Sequence, residues 1–90
     1  MPKGRRPGPT GSVIGRAFRV LDAFSTRRPT LSLSEIARRS KLPLSTVHRL
    51  LTELSAWGAV ERGEDGLFRI GLRLWEVGAL APRGQGRVRR

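Results

Sequence analysis

Apolar residues recur three and four apart through the first half of the chain, and every second residue in a short stretch of the second half. Ile14, Ala17, Phe18, Leu21 and Phe24 form a first helical stripe within Ser12 to Ser25, opposite Arg16, Arg19 and Asp22 and behind a candidate cap at Ser12. Pro29 closes that element, because it cannot continue a helix and pushes Arg28 toward an extended conformation. Ser32 and Glu35 stand at capping-box spacing, which predicts a short second helix to Ser40 with Leu33, Ile36 and Ala37 inward and Arg38 and Arg39 outward. Ser40, Lys41 and Leu42 make a tight turn. Pro43 suits the first turn of a third helix, which runs to about Trp57 and stops at Gly58, a residue placed for a left-handed cap.

Beyond Gly58 the period shortens to two. Val60 to Arg62 and Leu67 to Ile70 are strand candidates, joined by Gly63-Glu64-Asp65-Gly66, which has the composition of a hairpin turn. Helical spacing returns from Leu72 to Leu80. There Leu72, Leu74, Trp75, Val77, Ala79, Leu80 and Ala81 cover more than one face, so this helix is expected to be buried on several sides. The expected fold class is mainly α with a small β-hairpin.

On a helical wheel of about 100° per residue, Leu50, Leu51, Leu54 and Trp57 gather around Val47, while Ser45, Arg49 and Thr52 lie opposite and His48 sits on the flank. One side of the third helix therefore packs on the first two, and the other is free for a partner. A short capped helix, a tight turn and a longer helix with a polar outer face make a helix-turn-helix, and the hairpin after it makes the winged version. An α-helix fits the major groove of B-form DNA but not the deep, narrow one of A-form RNA, so duplex DNA is the expected partner.

Charge agrees with that reading. Eighteen basic residues against seven acidic ones give a formal net charge of +11 and a pI near 12.0, the electrostatic footprint of a nucleic-acid binder. Lys3, Arg5 and Arg6 at one end and Arg83, Arg87, Arg89 and Arg90 at the other carry +7 with no acid among them, leaving +4 to residues 13–82. The division expected is a disordered basic arm over 1–11, a folded domain over 12–81 and a disordered basic tail over 82–90.

With 90 residues the chain is at most one domain, and without cysteine it has no disulfide, thiolate metal cluster or cysteine nucleophile. His48 is the single histidine and has no carboxylate at ligand spacing, so neither a metal nor a cofactor is expected. Ser45 and His48 lack the carboxylate and pocket that an oriented base needs, so enzyme activity is not expected either. No apolar run is long enough to span a bilayer or to form a signal peptide, and the expected location is the cytoplasm.

Three stretches together resemble the N-terminal winged helix-turn-helix domain of IclR-type bacterial transcriptional regulators: "SVIGRAFRVLDAFS", "LSLSEIARRSKLPLSTVHRLLTELSAWGAVER" and "GLFRIGLRLWEVG". The resemblance covers roughly residues 12–81, and its most specific pieces are the EIA of the second helix, the LPxSTVxRLLxxL run and the passage FRIG into an apolar helix. It implies a three-helix core with a wing and a C-terminal linker helix. It also implies a DNA-reading surface of Ser45, Thr46, His48, Arg49 and Thr52, with Arg38, Arg39 and Lys41 bracing the backbone and Arg62 and Arg69 serving from the wing.

Three departures stand out. Lys41 occupies a turn position where relatives usually carry glycine, Glu64 and Asp65 place acid at the wing tip, and the chain stops where IclR-type proteins continue into an effector-binding domain. No effector site is expected in this chain, which fits either a truncated regulator or a natural short protein. The apolar surplus of Phe18, Phe24, Leu72, Trp75 and Ala79 suggests a homodimer on a palindromic operator. Alternatives are a sensorless protein that pairs with full-length relatives, and a basic RNA-associated protein.

Overall fold

The computed structural model describes residues 11–82, so the expected arm and tail lie almost wholly outside the described residues. Within them run α1 (Val13–Asp22), β1 (Thr30–Leu31), α2 (Leu33–Ser40), α3 (Leu44–Trp57), β2 (Val60–Arg62), β3 (Phe68–Ile70) and α4 (Leu72–Gly78). This is a winged helix-turn-helix with a linker helix.

Ser12 caps α1 as expected, its hydroxyl accepting the Gly15 N–H at 2.8 Å. The inward face differs from the expected stripe. Val20 and Ala23 are buried and Ala17, Leu21 and Phe24 pack beside them, whereas Ile14 and Phe18 remain 67% and 59% exposed. These two side chains lie about 120–160° round the helix from Val20, beyond the arc that α2 and α3 cover.

α2 has the full capping box: the Glu35 N–H donates to Ser32 Oγ at 3.1 Å and the Ser32 N–H to Glu35 Oε1 at 2.8 Å. It ends at Lys41, the sole non-glycine residue with positive φ among the described residues (φ 61°, ψ 38°). Pro43 stands one position earlier than expected, at the N-cap of α3 with extended ψ of 147° rather than in the first turn. Gly58 (φ 96°) ends α3, its N–H donating to the carbonyls of Leu54 and Ser55.

The sheet has three strands in the order β1-β3-β2, one more than the hairpin the sequence pattern predicts. β1 pairs antiparallel with β3, Thr30 against Arg69 and Leu31 against Phe68, while β2 sets Val60 against Ile70, Glu61 against Arg69 and Arg62 against Phe68. Leu31, Val60 and Phe68 close over Val20, Ile36, Val47, Leu50 and Leu51 to form the core.

α4 departs most from expectation. No residue of it is buried: Leu74 is partly covered, but Leu72, Trp75 and Val77 stay exposed, Trp75 by 65%. The turn before it is tightly held. The Gly71 N–H donates to Ala59 O at 2.8 Å and the Leu72 N–H to a Glu61 carboxylate oxygen at 3.1 Å. Within the described fold, Leu74 is the half-buried residue of this helix and Arg73 lays its guanidinium over the Trp57 ring, 4.5 Å from the centroid, while the apolar side chains of Leu72, Trp75 and Val77 stay largely uncovered.

Candidate nucleic-acid interface

Burying Val47, Leu50 and Leu51 turns the opposite side of α3 outward, and Ser45, His48, Arg49 and Thr52 are exposed there. Thr46 is half-buried on the flank. Arg49 is at the centre of this face, and among the described residues no protein group holds its guanidinium, so all five donors are free for a partner. Thr52 is different, because its hydroxyl donates to the His48 carbonyl at 3.0 Å and is left with acceptor capacity and a methyl group.

Pro43 gives α3 no side-chain cap, and the first turn contains no acid. The N–H groups of that turn lack intrahelical acceptors and carry the positive end of the helix dipole, which favours an anion beside Ser45 and Thr46.

The wing brings one of its two arginines to this side. Arg62 shares a sheet face with Phe68, its guanidinium 5.0 Å from the ring centroid and its Nε donating to Gly66 O at 3.2 Å. With His48, Thr52 and Ser55 it edges a groove between wing and helix, floored by Leu33, Leu51 and Phe68. Ser55 was not foreseen, although it stands seven residues after His48 and three after Thr52, a spacing that follows the same edge.

Arg69 is not brought into this group. Side chains alternate along β3, so Arg69 projects from the opposite sheet face, where its guanidinium stands 3.9 Å from Asp65 at the wing tip and the residue lines a hollow with Leu21, Phe24 and Pro29. Asp65 also accepts the Leu67 N–H at 3.0 Å, so one of the wing-tip acids serves the turn.

The three cations around the turn differ in freedom. Arg38 is exposed, and its charge joins the Ser32 hydrogen bonds and Arg28 in lowering the Glu35 pKa, the backbone N–H of Ser32 being the largest cause. Lys41 projects from the turn into solvent. Arg39 instead donates its Nε to Ala23 O at 2.7 Å, which ties it to the end of α1.

The expected interface residues also divide. Phe18 is exposed in a groove with Ile14, Leu54 and Trp57, and Trp75 and Ala79 edge a second depression with Ile70 and Leu74. Leu21 borders both. Leu72 is 60% exposed, whereas Phe24 is packed against the protein's own core. Among the described residues no group of three His, Cys, Asp or Glu side chains is placed to hold a metal, and no helix is long and apolar enough to cross a membrane.

This arrangement is shared with known proteins. The sequence model of the IclR helix-turn-helix domain matches residues 13–64, from the start of α1 into the wing. The chain belongs to the IclR family. Among its IclR relatives, the transcriptional repressor IclR of Escherichia coli is 34% identical over 85 residues, covering 86% of this chain and 31% of the repressor. The acetate operon repressor of Salmonella typhimurium is 33% identical over the same span, again 31% of its length.

The structure of an IclR homolog from a Microbacterium species superposes with a TM-score of 0.74 at 43% identity, covering 78% of this chain and 29% of that one. An IclR homolog of Microbacterium hydrocarbonoxydans, solved with 4-hydroxybenzoate, gives 0.72 at 45% identity, covering 83% and 30%. The chain thus spans about a third of the length of its IclR relatives, and the matched part is their helix-turn-helix region. The Escherichia coli and Salmonella relatives are named as repressors, and the part this chain shares with them is the DNA-binding helix-turn-helix of the family.

Proposed function

We propose that the chain reads a specific duplex-DNA operator through α3 and thereby regulates transcription in the bacterial cytoplasm, by default as a repressor. The observation that carries this is the unpaired Arg49 at the centre of an exposed polar face, on a scaffold whose relatives include named repressors. A guanidinium there suits a bidentate contact to guanine O6 and N7, worth roughly 1–3 kcal/mol of discrimination. His48 and Thr52 read beside it. Ser45, Thr46 and the first turn of α3 hold a phosphate, Arg38, Lys41 and Arg62 brace the backbone, and these contacts position the helix without reading sequence.

The apolar side chains left uncovered on α1 and α4 favour a homodimer, with two copies of α3 in successive major grooves about 34 Å apart on a palindromic operator. Phe18, Leu72, Trp75 and Ala79 are its proposed contacts.

Selection from a randomised duplex library at moderate salt, wild type beside Arg49→Ala, tests the function. Enrichment of a palindrome by the wild type, relaxed in Arg49→Ala, is the expected result. Retention of all sequences alike by both chains would overturn the reading, since charge alone would then be binding.

A further inference from the structure

The C-terminal ends of α1 and α2 exchange arginines. Arg19 of α1 reaches the end of α2, where its Nη2 donates to Ser40 O at 2.6 Å and to Lys41 O at 3.3 Å. Arg39 of α2 reaches back to Ala23 O at 2.7 Å. Each helix end concentrates carbonyls without intrahelical partners and the negative end of a helix dipole, so a guanidinium from the neighbouring helix answers both.

The two ends lead to different places. Beyond Ala23 the chain enters the loop to β1, but beyond Ser40 it passes through Lys41, Leu42 and Pro43 straight into α3. The dihedrals of Lys41 therefore help set how α3 stands against α2. They are left-handed, a conformation that a residue with a Cβ adopts only against strain. The carbonyls of Ser40 and Lys41 flank those dihedrals. Adjacent carbonyls diverge along an extended chain, so the two hydrogens of one guanidinium nitrogen reach both only while Lys41 stays curled.

Resting on the DNA-reading function above, we propose that Arg19 is a positioning residue for the recognition helix. It clamps the Ser40 and Lys41 carbonyls, holds the left-handed turn and fixes the angle at which Arg49 enters the major groove, without itself touching DNA. Base-edge hydrogen bonds fail on small displacements, whereas flexible contacts to phosphate follow them. Loss of Arg19 therefore lowers sequence preference more than total affinity.

The test is competition between the duplex selected by the wild-type chain and a scrambled duplex of equal length. It compares wild type, Arg19→Gln, Lys41→Gly and the double variant, with circular dichroism to verify folding. Arg27→Gln, which removes an exposed arginine from the loop after α1, calibrates the loss of one charge. Arg19→Gln is expected to weaken the selected duplex about tenfold and the scrambled one no more than Arg27→Gln does. In the Lys41→Gly background the turn is free of strain, and the same substitution should cost about threefold or less.

Equal weakening on both duplexes, or the same loss in both backgrounds, overturns the proposal and reduces Arg19 to a charge or a packing contact. If Arg19→Gln does not fold, Arg19→Lys takes its place with the same expected split, since an ammonium keeps the charge without the fixed fork of donors. A wild-type chain that selects no duplex overturns the DNA-reading function itself, a result distinct from either of these.

Discussion

Gly71 lies so close to Gly58 that a Cβ on Gly71 would overlap the Gly58 carbonyl. Its φ of −83° suits any residue, so what glycine supplies here is space. Gly71→Ala must separate the end of α3 from the start of α4, and the main-chain atoms of Gly58 and Ala59 leave little slack. The expected loss is about 2–3 kcal/mol of stability, the upper range for overpacking, read as a drop in the thermal midpoint.

Lys41→Gly should act in the opposite direction. Relief of a left-handed Cβ contributes roughly 1–2 kcal/mol, offset in part by the greater freedom glycine gives the unfolded chain. A rise of a few degrees in melting temperature is expected; a fall would mean that the Lys41 side chain stabilises the turn by more than its strain costs.

The two wing arginines are expected to separate in a salt titration of DNA binding. Arg62→Ala, on the α3 side, should weaken binding alike across sequences and lower the log–log salt slope by about one unit, as for one lost phosphate contact. Arg69→Ala, on the other sheet face beside Asp65, should leave both slope and sequence preference unchanged. The opposite ranking would place the far side of the wing on DNA.

Glu35 links stability to pH. Its carboxyl is held below the usual range by the Ser32 N–H and hydroxyl and by the charges of Arg28 and Arg38. A group with a lowered folded-state pKa stabilises the protein above its unfolded value and loses that contribution as pH falls through the folded one. Urea midpoints should therefore decline from about pH 5 toward pH 3, with a flatter decline in Glu35→Gln. Parallel declines in the two chains would show that other carboxylates dominate the acid limb.

The legible parts of the fold are those specified by local patterns. Val47, Leu50 and Leu51 locate the buried side of α3 by spacing alone, and with it the free side that carries Arg49. Ser32 with Glu35, and Gly58, mark helix ends through chemistry contained within a few residues. β1 escapes because two residues show no period; only pairing with Arg69 and Phe68, far along the chain, makes them a strand. The arginine exchange escapes for the same reason, since Arg19 and Arg39 look like members of ordinary solvated faces until their helices are packed. Ile14 and Phe18 mislead because a stripe reports where apolar groups lie, not how much of it neighbours will cover.

The hydrogen bond from Thr52 to the His48 carbonyl makes the reading face chemically lopsided. Arg49 brings only donors, while Thr52, its proton committed to its own helix, brings an acceptor and a methyl group. In the proposed complex, a base pair under Arg49 is read by its acceptor-rich purine edge, and one under Thr52 by an amino group, on cytosine or adenine, or by the methyl of thymine. The selected operator should carry this polarity, guanine at one position and adenine, cytosine or thymine facing Thr52 at its neighbour along the helix axis, so that each half-site has a direction before its symmetry mate is counted.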